Sequence, residues 1–296
     1  MIRYFSCFFV FLLLFSSCEK NISIQLDPSS TDLVVDASIE NGRYPVVILS
    51  NSLAYFSKID QQILAASFVH HAHISIRNGQ VTSQLKEDSV LVDSSGYWLY
   101  YYTVNPADTA LKFTGEFNKQ YDLTILTGNK TYAATTTIPS LAKVIDSLWW
   151  IPAPEIQDSD KAVLKALITD PPGFGNYIRY YTSVNGGPYY PGLNSVFDDQ
   201  VTDGTIFSIT VPQGVNRNAR IDLNDYNFFK KGETVVVKYT NIDKATYDFW
   251  RTMEYNYQSV GNPFSTPTRV ISNISNGALG NFGGYAAQYK QLVIPK

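Results

Sequence analysis

Apolar and polar residues alternate over short stretches along most of the chain, which is the pattern of β-strands that bury one face. In residues 33–39 every second side chain is apolar, while Asp36 and Ser38 lie on the opposite face. Asn41 and Gly42 favour a tight turn, because they readily supply the positive φ angles that hairpins need. Residues 45–49 then provide the returning strand, so the pattern predicts an antiparallel hairpin.

The same pattern continues and predicts an immunoglobulin-like sandwich over residues 31–140. Further strands are predicted at residues 73–77, 96–102, 121–125 and 132–138. Residues 53–66 are less regular, and they predict a short helical turn within a long loop. Tyr121 opens its strand after a glycine-containing approach and before the last hairpin. This position is typical of the tyrosine corner of immunoglobulin-like domains.

Residues 141–296 predict a second antiparallel β-domain. Its strands are predicted at residues 144–151, 162–169, 177–184, 206–211 and 233–240, with a closing strand that ends at Val293. Two glycine-containing stretches, residues 186–192 and 272–285, are predicted to be loops. The fold class predicted for the whole chain is therefore all-β, with two domains in tandem.

One long helix is predicted in the second domain, near residues 243–259. Tyr247, Trp250 and Tyr257 recur at helical spacing, and Asp243 is suited to cap the first turn. We interpret the aromatic stripe as a face that packs against a sheet. The alternative is an aromatic face that binds a ligand.

The start of the chain has the composition of a secretory signal. Arg3 precedes the apolar run at residues 8–15, which is far shorter than the roughly 20 residues of a membrane-spanning helix. Ser16 and Ser17 lead into Cys18 as in a bacterial lipobox, although Phe15 stands where Leu is usual. The predictions are removal of residues 1–17, lipid attachment at Cys18, a tether over residues 18–30 and localisation at the outer membrane, with the leaflet left open. The alternative is an ordinary cleaved signal with an incidental cysteine.

Composition narrows the possible partners. Cys7 and Cys18 are the only cysteines, so a mature chain that begins at Cys18 has no disulfide. The 23 basic and 26 acidic residues are nearly balanced and form no basic cluster, which argues against nucleic acid as a partner. Membrane attachment would then depend on the lipid alone.

Candidate catalytic and metal-binding residues are few. The three histidines lie together, and His71 and His73 would share one face of a strand as two metal ligands; the alternative is an exposed polar strand entry. Asp198, Asp199 and Asp203 offer carboxylates in one stretch, for which the alternative is a solvated turn. The sequence has no nucleophile elbow, zinc-protease motif or phosphate-binding loop. We therefore predict a protein that is not an enzyme and has no cofactor.

Exposed aromatic side chains are the predicted contacts with a ligand or partner, because they bury large area with few rotatable bonds. Tyr189 and Tyr190 lie between proline and glycine residues, which a strand core does not need. Phe264 and Phe282 lie in the other flexible region. The alternative for these two phenylalanines is that they fill the end of the second domain.

Several short segments, taken in order, resemble a known family. They are Leu33-Val-Val-Asp-Ala-Ser-Ile39, Pro45-Val-Val-Ile-Leu-Ser50, Tyr55-Phe56, Tyr121-Asp-Leu, Tyr132-Ala, Ile138-Pro139, Asp170-Pro-Pro-Gly, Asn176-Tyr177, Asp203-Gly204, Tyr247-Asp-Phe-Trp250, Asn262-Pro-Phe264, Ser272-Asn-Ile274 and Gly280. This order resembles the Bacteroidota lipoprotein family known as domain of unknown function 4249, over about residues 18–293. Members are often encoded beside TonB-dependent outer-membrane transporters. The resemblance implies an accessory role in uptake or at the cell surface, and it implies no catalytic residues.

Three functions therefore compete. The first is a non-enzymatic binding or accessory subunit beside a TonB-dependent transporter, attached to the membrane through its lipid. The second is a structural or adhesion lipoprotein of the cell surface. The third is an enzyme that acts on surface substrates. A transporter gene next door would favour the first.

Overall fold

The computed structural model describes residues 32–53, 61–92, 96–108, 111–153, 160–222, 225–260, 262, 265–266 and 268–296. The predicted signal, Cys18, the tether over residues 18–30 and Phe264 lie outside these residues. Within the described part of the chain, neither helix has the length and apolar character needed to cross a membrane.

Fifteen strands and two helices are formed by the described residues. The strands of the first half are β1 (Leu33–Glu40), β2 (Val46–Asn51), β3 (His73–Arg77), β4 (Thr82–Val92), β5 (Tyr97–Val104), β6 (Lys119–Thr127) and β7 (Lys130–Ile138). Those of the second half are β8 (Val144–Pro152), β9 (Lys161–Thr169), β10 (Tyr177–Val184), β11 (Tyr190–Phe197), β12 (Ile206–Thr210), β13 (Phe229–Lys230), β14 (Thr234–Ile242) and β15 (Leu279–Val293). The helices are α1 (Gln61–Ser67) and α2 (Lys244–Ser259). The predicted all-β class with one long helix is confirmed.

Eleven of the strands form one sheet, in the order β11-β10-β14-β15-β1-β2-β5-β4-β3-β6-β7. β15 pairs antiparallel with β14 and parallel with β1, where Val35 lies opposite Gly280. Hydrogen-bonded pairing therefore crosses residue 140, and the two-domain division at that residue stays a prediction.

The remaining strands form a small sheet around β9, which pairs with β8 on one side and with β12 and β13 on the other. Its apolar side chains, such as Leu164 and Ile168, pack against Ile178 of β10 and Val237 of β14. This part of the molecule is a sandwich with a buried apolar core between the two sheets.

A second core lies under the strands of the first half and includes the fully buried Tyr121 at the start of β6. The Tyr121 hydroxyl accepts a hydrogen bond from the Glu116 N–H at 2.8 Å, and its ring stacks on Phe113. The hydroxyl thus bonds to backbone a few residues upstream, which is the arrangement predicted for a tyrosine corner.

The predicted loop over residues 272–285 is wrong in its second half, where β15 begins at Leu279. A Cβ at Gly280 would lie 1.9 Å from the Val35 carbonyl oxygen, and one at Gly284 would lie 2.4 Å from that of Thr137. The glycines are therefore needed because two backbones approach β15 closely, and they do not indicate a flexible loop.

Asp243 caps helix α2 as predicted, since its Oδ1 accepts from the Thr246 N–H at 2.8 Å. Its other oxygen accepts from the Thr136 hydroxyl at 2.7 Å and the Thr137 N–H at 2.9 Å, both on β7. One carboxylate thus caps the helix and attaches it to the large sheet.

Candidate functional site

Three neighbouring strands of the large sheet place tyrosines around a lysine on one face. Lys238 of β14 lies directly opposite Tyr181 on β10 and Tyr289 on β15. Directly opposite residues point to the same side of a sheet, so the three side chains are neighbours. We call the surface formed by Tyr181, Tyr189, Tyr289, Arg43, Lys238 and Glu40 the tyrosine face.

Glu40 is the buried centre of the tyrosine face. Its carboxylate accepts from the Tyr289 hydroxyl at 2.5 Å, and it forms ion pairs with Lys238 and, at 3.0 Å, with Arg43 Nε. Three charge-assisted contacts fix one carboxylate, which orders the side chains around it. Two cations meet one anion, so the cluster keeps one positive charge in excess.

The aromatic rings of the tyrosine face contact one another and the two cations. The Tyr189 and Tyr289 rings meet edge to face with their centroids 5.9 Å apart. Lys238 Nζ lies 5.3 Å from the Tyr181 ring centroid, and the Arg43 guanidinium lies 5.8 Å from that of Tyr289. Burial, together with the hydrogen bond to Glu40 and its negative charge, raises the pKa of Tyr289 above its ordinary value. Tyr289 therefore remains a neutral donor at physiological pH.

Tyr189 lies at the end of the five-residue connection between β10 and β11. The connection begins with a turn in which Asn185 and Gly186 have φ angles of 52° and 76°. The predicted loop over residues 186–192 is wrong in part, because β11 already begins at Tyr190. Pro191 is tolerated there because β11 is the edge strand of the sheet. Tyr189 is exposed beside the turn, whereas Tyr190 is half-buried.

Comparison with known proteins supports the resemblance seen in the sequence. A family model described as "Domain of unknown function (DUF4249)" matches residues 19–291. The chain belongs to this family. No curated protein matches it. Membership in DUF4249 brings no assigned activity, so the candidate site depends on the geometry alone.

The structure of this DUF4249 chain does not place the predicted histidine pair or Phe282 as the sequence suggested. β3 begins at His73, and His71 has a φ of 57°, so the two histidines do not alternate along one strand. Glu87 instead accepts from the His71 N–H at 2.9 Å and contacts His70 Nδ1 at 2.5 Å. Among the described residues, no three His, Cys, Asp or Glu side chains are placed to hold a metal. Phe282 is fully buried in the core that includes Tyr121, so it is not part of an exposed contact surface. It is a core residue, as in its alternative interpretation, but it packs under the strands of the first half and not at the end of the second domain.

The carboxylates of residues 198–203 hold neighbouring loops in place. Asp199 is buried and accepts from the Asn176 N–H at 2.8 Å, while Asp203 accepts from the Gly173 N–H at 2.6 Å. Asp198 accepts from the Tyr247 hydroxyl at 3.2 Å. Each carboxylate thus has a separate structural partner, and the three do not converge on one reacting centre.

Helix α2 carries a buried carboxylate that the sequence pattern did not single out. Glu254 accepts from the Ser195 N–H at 2.8 Å and from Arg217 at 2.8 Å, and it also contacts the Ser195 hydroxyl. The neighbouring Trp250 ring lies 3.4 Å from the Arg179 guanidinium carbon and donates its indole N–H to Tyr285 at 3.0 Å. The aromatic stripe of α2 therefore packs against the sheet through Trp250, as interpreted from its spacing.

Proposed function

We propose that this protein is a non-enzymatic, lipid-anchored cell-envelope protein that acts as a binding or accessory subunit beside a TonB-dependent outer-membrane transporter. We further propose that the tyrosine face contacts that partner. The observation that carries the proposal is the joint exposure of Tyr189 (43%), Tyr289 (38%) and Arg43 (65% of its side chain) on one face. Tyrosine and arginine are the residues enriched where binding energy concentrates in interfaces.

The rigidity of the tyrosine face supports a role in binding. Tyr289 and Lys238 lie on paired strands in the middle of the sheet, and Glu40 fixes both side chains. Little rotamer freedom remains to be lost when a partner binds, which favours affinity. The excess positive charge and the exposed guanidinium of Arg43 suit a partner surface that offers carboxylate or carbonyl oxygens.

Co-purification with the neighbouring transporter tests the proposed contact. We expect the double variant Tyr189→Ala/Arg43→Ala to remain folded and to lose about tenfold or more in recovered transporter, because each side chain belongs to a hot-spot class. Tyr255→Ala is the matched control, since that tyrosine is 49% exposed on α2 and is not one of the residues of the tyrosine face. Full recovery of the transporter with the double variant would show that this surface is not the contact.

The lipid anchor has a separate test. In a Cys18→Ala chain, palmitate labelling and membrane fractionation should both be lost, because Cys18 offers the only thiol after the predicted cleavage point. Unchanged membrane fractionation would contradict the anchor without affecting the proposed contact surface. If co-purification fails for the unaltered protein while cell attachment depends on Tyr189, the adhesion alternative would replace the transporter role.

A further inference from the structure

A cavity of about 660 Å³ lies in the sandwich of the second half of the chain, between the small sheet and the strands β10, β11 and β14, and it opens to the surface beside the exposed Val201. Its volume falls within the roughly 300–1,000 Å³ that is typical of small-molecule sites. The walls are mainly aliphatic and aromatic, and they include Ile145, Ile168, Ile178, Val237 and Ile209. The cavity is therefore large enough and apolar enough to hold a small organic molecule.

A buried network of Lys143, Asp170 and Thr202 lies at one end of the cavity. Lys143 Nζ lies 2.7 Å from Asp170 Oδ2 and donates to the Thr202 hydroxyl at 2.9 Å, and that hydroxyl in turn donates to Asp170 at 2.7 Å. The side chains of the ion pair are 3% and 0% exposed. Lys143 and Thr202 line the cavity, so a molecule bound at this end meets their polar atoms; Asn194, Asp198 and Thr210 are further polar residues of the lining.

The main chain of Lys143 is held as firmly as its side chain. The Asn241 side chain accepts from the Lys143 N–H at 2.9 Å and donates to the Lys143 carbonyl at 2.8 Å. An ammonium group has three N–H donors, of which Asp170 and Thr202 take two. The third N–H has no hydrogen-bond acceptor among the described residues, and Nζ lies 5.6 Å from the centroid of the Phe207 ring, which also lines the cavity.

The neutral Lys143–Asp170 pair favours an uncharged acceptor group on the ligand. Asp170 neutralises Lys143, so a ligand carboxylate would bring an uncompensated negative charge into an apolar interior, which is costly. Tyr239 and Tyr247 also line the cavity. Burial and the nearby charge of Asp170 raise the pKa of Tyr239, while burial and Asp198 raise that of Tyr247 to about 12. Both phenols are therefore neutral at physiological pH and add no charge.

We propose that this cavity binds an uncharged, largely apolar small molecule that carries one oxygen acceptor, such as a long-chain alcohol or ketone. The oxygen accepts from Lys143, and the hydrocarbon lies along the aliphatic walls between the two sheets. The site is independent of the tyrosine face and of the proposed transporter contact.

Binding of the neutral fluorescent probe N-phenyl-1-naphthylamine tests the proposal. The full chain with Cys18→Ala is used, so that an attached lipid cannot take up the probe. We expect saturable binding of one probe per chain, displaced by 1-decanol and 2-undecanone at concentrations at least tenfold lower than by decanoate. Absence of saturable binding, or equal displacement by decanoate, would overturn the proposal.

A matched pair of tryptophan variants on β12 locates the site. Ile209 lines the cavity, whereas Ile206 on the same strand is 67% exposed and does not. Ile209→Trp should weaken probe binding at least tenfold because the indole occupies the cavity, and Ile206→Trp should bind as the unaltered chain does. If Ile209→Trp does not fold, Val196→Phe places a smaller ring in the same cavity. Unchanged binding by a folded cavity variant would show that the probe binds elsewhere.

Discussion

The buried ion pair between Lys143 and Asp170 provides the sharpest test of the energetics of this fold. The Lys143 side chain contributes one ion pair and one hydrogen bond, and Asp170 Oδ1 has no hydrogen-bond partner among the described residues. Lys143→Met keeps a similar apolar stem but leaves the Asp170 carboxylate with only the Thr202 hydroxyl. A buried charge without its counter-ion costs about 3–5 kcal/mol, so we expect a loss of that size in the free energy of unfolding.

A double variant separates two quantities: the cost of leaving Asp170 buried without its counter-ion, and the net contribution of the ion pair to the free energy of unfolding. In Lys143→Met/Asp170→Leu both charges are gone, and apolar replacement of a buried pair is often neutral or stabilising. The double variant should therefore recover most of the stability that the single variant loses. Thr202 keeps a hydroxyl without its acceptor, which costs about 1–3 kcal/mol and sets the limit of the recovery.

Urea unfolding followed by circular dichroism is the assay for these variants. A shift of the midpoint at constant slope reports stability alone, because the slope follows the surface exposed on unfolding. Lys130→Met is the control, because it makes the same change at an exposed lysine beside a hairpin turn. A loss below about 1 kcal/mol for Lys143→Met, within the usual range of a surface pair, would refute the reasoning.

Three further changes should act through other parts of the fold. Gly280→Ala should prevent stable folding or lower the yield of soluble protein severely, because the new Cβ would meet the Val35 carbonyl at 1.9 Å and φ is +106°. Asp243→Ala should cost about 2–4 kcal/mol in urea unfolding, since the helix loses its cap and the Thr137 N–H loses its acceptor. Burial acts to raise the pKa of Asp122, but hydrogen bonds and the charge of a neighbouring arginine hold it below its ordinary value. The stability from Asp122 is therefore present above its unfolded-state pKa of about 4 and is lost as pH falls through its lowered folded-state pKa, so Asp122→Asn should flatten acid unfolding below about pH 4.

Local patterns in the sequence predict the features whose stabilising contacts lie within a few residues of one another along the chain. Alternating residues predict β1 over 33–39 because one face is buried there, and Asp243 predicts the start of α2 because its cap bond spans three residues. Tyr121 is predicted as a corner residue for the same reason, since its hydroxyl partner lies five residues away. Tyr189 is predicted as an exposed contact residue from its proline and glycine neighbours.

Features that depend on distant parts of the chain could not be predicted in this way. The glycines of β15 look like a loop until Val35 and Thr137 are known to approach them. Glu40 lies 198 residues from Lys238 and 249 from Tyr289, so no local pattern brings the centre of the tyrosine face together. β4 was not predicted from the sequence. Only Ser83 and Leu85 of its eleven residues are buried, so the alternation of buried and exposed positions is too short to indicate a strand.

The two candidate sites occupy opposite faces of the same strands. On β14, Lys238 belongs to the tyrosine face, while Val237 and Tyr239 on either side of it line the cavity. The two-residue period of a strand imposes this division, so one substitution can reach one site and spare the other. Lys238→Met should therefore weaken transporter co-purification and leave probe binding unchanged, while Ile209→Trp should do the reverse. If each variant changed both readouts, binding in the cavity and binding at the tyrosine face would be energetically coupled through β14, and the two would have to be treated as one coupled system.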